Sequence, residues 1–118
     1  MVSAVGAGAV LRESELSLLD ENEKKRVEFA LTKDGPTHLL TDRNQNVRAA
    51  FSLDDDEPRF SYFDANGTRV LYLGVAKGEP SMVLSDRNNT YRATMGLAGG
   101  RSALVLLDAN GRILFAKP

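Results

Sequence analysis

The sequence predicts an all-β fold: five 22-residue units, each of two strands, running on as an antiparallel β-meander array. Three observations predict it. Aspartates stand at Asp20, Asp42, Asp64, Asp86 and Asp108, with the same spacing each time and no insertion, and each is followed two residues later by asparagine (Asn22, Asn44, Asn66, Asn88, Asn110). Self-similarity at a fixed short period marks a repeat architecture. The segments after each aspartate alternate apolar and polar or small, the period of a strand and not of a helix. Finally, the stretches between segments are rich in Asp, Asn, Gly and Pro, residues that turn a chain.

Each unit contributes two strands. The strand before the aspartate reads LSLL, HLLT, FSYF, MVLS and LVLL in successive units; the strand after it reads KRVEFAL, VRAAFSL, RVLYLGV, YRATMGL and ILF. In the second kind, Val27, Phe29 and Leu31 are separated by Glu28 and Ala30. The same alternation holds for Ala49, Phe51 and Leu53, for Leu71, Leu73 and Val75, and for Ala93, Met95 and Leu97. Proline recurs in one register at Pro36, Pro58 and Pro80, with Ser102 in the fourth slot. The closing FAKP suits a terminal strand, because Lys117 and Pro118 blunt further pairing.

Two loops alternate along the chain. In D-x-N-x, the fourth residue should take positive φ, which suits Gly67, Gly111 and Asn89. Glu23 and Gln45 suit it poorly, and looser turns are expected there. Taking this loop as four residues keeps Leu104 and Leu106 on the face of Ile113 and Phe115; a three-residue loop would split the apolar set between faces. The second loop (TKDG, DDDE, AKGE, AGGR), also taken as four, puts Phe51 and Phe60 on one face. This register yields a core face of 28 positions, 16, 18, 25, 27, 29 and 31 and their repeats through 115, broken only by Lys25, His38 and Arg69. The opposite face turns apolar toward the C-terminus at Phe63, Val70, Tyr72, Val83, Val105, Leu107 and Leu114, which marks it as an interaction face. Ten strands with an apolar face need cover. The alternatives to a meander array are a β-solenoid and an up-and-down barrel.

Composition narrows function less. One domain is expected over 14–118, large enough to bury a core. The absence of cysteine removes disulfides and thiolate chemistry. Fifteen basic and sixteen acidic residues give a net charge of −1, which announces neither nucleic acid nor anionic lipid as a partner. No run approaches the ~18 apolar residues that span a bilayer. Residues 1–13 open with MVSAVGAGAV, an apolar lead-in that reads as a plain extension, as a short packed helix, or as the end of a membrane or signal segment, through which the chain would associate with a membrane.

The search for chemistry finds little. His38 is the sole histidine, at a position held elsewhere by Leu16, Phe60, Met82 and Leu104. The repeated Asp-x-Asn matches only part of a calcium loop, and turn chemistry accounts for it without an ion. Asp54, Asp55, Asp56 and Glu57 form the densest acidic stretch and are the weak candidates for a cation; no metal, cofactor or catalytic set is otherwise expected. Arg26, Arg48 and Arg92 recur on the outer face and are expected to pair with the acidic turns or to face water, the alternative being a phosphate or polyanion site. Tyr62, Tyr72 and Tyr91 fall on different faces, so no stacking platform for sugars or bases is expected.

The unit L-x-L-x-D-x-N-G-x-x-R-x-x-L-x-L, spanning about 14–118, resembles tandem repeats of uncharacterised bacterial proteins. YFDANGTR (62–69) is similar to the YD repeats of Rhs-type shells, although the other units lack that tyrosine; the MORN hairpin is similar in length but not in its Gly and Trp pattern. The bacterial resemblance implies an array that follows a membrane or signal segment, hence the cell envelope. The reading is a non-enzymatic structural or protein-interaction module of a larger bacterial envelope or membrane-associated assembly, held by a protein partner or by self-association. The alternative is a small-molecule or lipid carrier built as a barrel.

Overall fold

The computed structural model describes residues 14–118; the lead-in 1–13 lies outside them. Ten strands follow one another: β1 Glu15–Leu19, β2 Lys25–Thr32, β3 Gly35–Thr41, β4 Val47–Asp54, β5 Glu57–Phe63, β6 Arg69–Ala76, β7 Glu79–Ser85, β8 Tyr91–Ala98, β9 Arg101–Leu107 and β10 Ile113–Lys117. They form one antiparallel sheet in chain order, each strand paired only with its neighbours in sequence. The meander expected from the repeat is therefore the fold. β1 and β10 do not meet, so the sheet is not a barrel, and its antiparallel order excludes a solenoid. Among the described residues no helix is long and apolar enough to cross a membrane.

The faces come out much as the alternation requires. Across the sheet, Leu16, Phe29, His38, Phe51, Phe60, Leu73, Met82, Met95 and Leu104 stand opposite one another in a single row. Side chains directly opposite on neighbouring strands point the same way, so the row shares one face. Flanking rows repeat the pattern: Leu18, Val27, Leu40, Ala49, Tyr62, Leu71, Leu84, Ala93, Leu106 and Phe115 on one side, and Leu31, Pro36, Leu53, Pro58, Val75, Pro80, Leu97 and Ser102 on the other.

The D-x-N-x loop departs from the four-residue expectation. The Asp20 N–H donates to the Lys24 carbonyl and the Glu23 N–H to the Asp20 carbonyl, and the other four units repeat both bonds. Three residues therefore form the loop, a type I turn closed by a residue at positive φ. A bulge follows at once: Leu19 opposes Lys25 and Leu18 opposes Val27, leaving Arg26 unpaired. The same shift recurs in every D-x-N-x hairpin. The extra residue restores the parity that a three-residue loop would lose, so the apolar set stays together. The bulge also turns the first residue of each second strand to the other face. Lys25 pairs with Glu15, which lies on the outer face with its hydrogen-bonded neighbour Ser17. The Arg69 guanidinium stands 4.6 Å over the ring of Tyr72, also on that face. Two of the three polar breaks in the apolar face thus leave it, and only His38 remains.

Glu23 and Gln45 were expected to loosen their turns. They instead take φ of 61° and 67° with the same bonds as the glycine-containing turns. The aspartate explains it: in each unit Oδ1 accepts two backbone N–H groups, for example those of Asn44 at 2.9 Å and Asn46 at 3.0 Å on Asp42. A carboxylate that closes the loop from inside can offset the modest cost of a left-handed non-glycine residue.

The second loop is two residues, shorter than the four expected but of the same parity. Asp54 pairs with Glu57, Ala76 with Glu79 and Ala98 with Arg101. The central residues Asp55 and Asp56, Lys77 and Gly78, and Gly99 and Gly100 all have positive φ, the I′ geometry whose twist matches paired strands. The first of these loops differs. Thr32 Oγ1 accepts the Asp34 N–H, and the positive φ falls on Gly35 instead. The prolines sit one residue after each strand start, and pairing with the following strand begins only at Thr37, Arg59 and Ser81. A residue without N–H belongs where the ladder has not yet begun.

Candidate interaction face

A single sheet has no second layer, and this one buries almost nothing. Among the described residues only Ala49, Ser61 and Gly74 are buried. The face expected to be the core is open: Phe29 is 45% exposed, Phe51 48%, Leu73 51%, Met95 50% and Leu31 64%. Covering one such half-exposed side chain is worth about 1 kcal/mol. The face is uncharged across β1 to β9, and its one charge, Lys117, lies at the edge beside Leu104. His38 does not interrupt it. Its ring stacks on Phe29 with centroids 4.4 Å apart and planes 17° from parallel. Phe60 packs on Phe51, at 5.5 Å, and on Tyr62 of its own strand, at 4.9 Å, and carries the aromatic strip onto β5. Two shallow apolar grooves of about 240 and 260 Å³ run along this face, one beside Phe51, Phe60 and Pro80, the other beside Met82, Met95 and Leu97.

The outer face is more closed. Phe63, Val70, Tyr72, Val83, Val105 and Leu107, expected to form the interaction face, are half-buried; Leu114 is exposed. Arginines account for part of this. Arg26 Nε donates to the Thr41 carbonyl at 2.7 Å while its Nη1 lies 3.5 Å from Asp20. Arg48 joins Asp42 to the Phe63 carbonyl, and Arg92 joins Asp86 to the Leu107 carbonyl, in the same way. Each arginine staples its own turn to the end of the next unit's first strand. At the opposite ends of the strands, Glu57 accepts the Lys77 N–H, and Glu79 accepts the N–H groups of Gly99 and Gly100. Sequence reasoning missed this role for the two glutamates, Glu57 having been singled out only as a weak cation candidate. Their shared register position, 22 residues apart and each just before a repeated proline, was the available signal.

These bonds also set the electrostatics of the turns. The backbone N–H of Lys24 holds the Asp20 carboxyl below its ordinary range, assisted by the Asn22 N–H and Arg26. Asp42 and Asp86 are lowered the same way, chiefly by the N–H groups of Asn46 and Thr90.

The third unit carries Val70 where the staple arginine belongs, and a pocket lies nearby, beside the Ser85 that such an arginine would reach. It holds about 200 Å³ and is lined by Arg69, Tyr72, Val83, Ser85, Asn89 and Tyr91. Tyr91, turned by its bulge, joins Tyr72 on this face, contrary to the expected separation of the tyrosines. Val70→Arg is expected to restore the staple by pairing with Asp64 and donating to the Ser85 carbonyl. The gain should be about 0.5–1 kcal/mol of unfolding free energy, because the pair is partly exposed. Urea unfolding checks it, and no change in midpoint would count against the staple.

The acidic stretch does not gather into a site. Asp54 lies 2.7 Å from Arg59, Glu57 is engaged by the Lys77 N–H, and Asp55 and Asp56 are the two turn residues. Among the described residues no group of three or more His, Asp or Glu side chains is placed to hold a metal ion. The I′ turn explains it, since it carries its two central side chains away from those of the flanking pair. Comparison with protein-family models and with curated proteins returns no match for this chain.

Proposed function

We propose that this chain is a non-enzymatic structural module that joins a larger assembly by lending one apolar sheet face to a protein partner. The observation that carries the reading is that face: three largely apolar rows on one side of a single-layer sheet, along which Phe29, Phe51, Leu73 and Met95 stand about half exposed. Soluble monomers rarely expose an apolar patch of more than a few hundred Å², and larger patches mark interaction sites. The reading takes the Phe29–Met95 side as the contact rather than Phe63, Val70 and Tyr72, because Phe29, Phe51, Leu73 and Met95 are exposed whereas the latter three are half-buried. A bacterial envelope setting follows from the resemblance of the repeat. A photo-crosslinking residue at position 73 tests the reading in native cells. A discrete protein adduct, lost when Phe51 becomes Asp, is the expected result; labelling of lipid alone would contradict it.

A further inference from the structure

We infer that the partner covering this face is a second copy of the chain, the two sheets packing face to face as a two-layer sandwich; the inference rests on the reading above. The first argument is area. Ten strands about 4.8 Å apart, with roughly six residues each at about 3.3 Å, present a face of roughly 950 Å². Two copies would remove about 1,900 Å² from water before side-chain relief is added, at the upper end of standard interfaces and near the obligate class. The second is charge. From β1 to β9 the face carries no charged side chain by which a different partner could be selected, and its histidine ring lies flat on Phe29.

The third argument is symmetry. Equal repeats make the face quasi-periodic, so a two-fold axis parallel to the strands and between β5 and β6 lays unit upon unit. Phe60 and Leu73, which pair across those two strands, then sit at the centre, and the same surface meets itself as an isologous contact requires. The C-terminal edge disfavours a competing route. On β10, Lys117 holds the register position of Phe29, Phe51, Leu73 and Met95, so strand addition there would bury an ammonium in the central apolar row.

Native mass spectrometry and sedimentation of the full chain test this directly. The expected mass is twice the 12.8 kDa of one chain, and Leu73→Asp should return it to one. Should that variant not fold, single-cysteine chains decide, since the protein has no cysteine of its own. Leu73→Cys should be joined by a short bismaleimide, whereas Val83→Cys, on the opposite face, should not. Equal linking at both positions, or a ladder of masses beyond two, would overturn the closed pair. A folded monomer that binds a hydrophobic dye and forms an adduct with a different protein would overturn the pairing and leave the assembly reading standing. A folded monomer with neither property would overturn both.

Discussion

Gly35→Ala is expected to be among the most damaging single substitutions in the sheet, lowering the unfolding free energy by about 2–4 kcal/mol. Two effects combine at this position. Gly35 has φ of 132°, a conformation that an alanine adopts only under strain. A Cβ placed there would also lie 2.4 Å from the Leu53 carbonyl oxygen, a backbone atom of a residue paired with Pro58 in the β4–β5 ladder. The equivalent positions in later units are Glu57, Glu79 and Arg101, none of which has positive φ, so the first unit alone depends on glycine here. Gly111→Ala is the control. It has φ of 83° but nothing within 4 Å of the added carbon, and should cost only about 1–2 kcal/mol. Chemical unfolding of the two variants separates strain from collision; equal losses would show that the close approach to Leu53 does not matter.

The second large effect is a loss of stability in acid that begins at the turns. Asp20, Asp42 and Asp86 have carboxyls held below the ordinary value of 3.8 by backbone N–H groups in the folded chain. A group whose folded pKa is depressed contributes stability above its unfolded value and loses that contribution as pH falls through the folded one. Stability should therefore hold from neutral pH to about 5, decline below the ordinary aspartate range, and continue down until all three are protonated. The triple variant Asp20→Asn, Asp42→Asn and Asp86→Asn keeps a side-chain oxygen in each turn but removes the titration. Its decline below pH 4 should be shallower than that of the parent, measured as unfolding midpoint against pH. Parallel curves would place the acid response elsewhere.

Most of the architecture was legible because the chain states it five times. Aspartates at a constant spacing gave the unit, and the alternation through Val27, Phe29 and Leu31 and its repeats gave strands and faces. The bulge was less legible, since a plain four-residue loop and a three-residue loop with one extra residue preserve the same parity. A trace of it existed nonetheless. Lys25, Arg69 and Tyr91, polar or amphipathic, all fall at one repeat position on an otherwise apolar face, which is where the bulge turns the chain over. The fate of that face could not be read, because apolarity demands cover without saying which molecule supplies it. The glutamate staples were equally hidden: Glu57 and Glu79 act through backbone N–H groups of the next loop, and a donor carried by every residue leaves no mark in a sequence.

Everything turns on ten strands lying side by side in one open sheet. Ser17 and Ala116 belong to the same transverse row at its two ends, on the outer face of β1 and β10. Nine inter-strand steps of about 4.8 Å separate them by roughly 43 Å, somewhat less with twist. Cysteines at these two positions, spin-labelled and diluted with unlabelled chain, report that distance by pulsed electron resonance. A single distribution near 35–45 Å is predicted; one below 20 Å would mean that the first and last strands come together, and would contradict the open sheet.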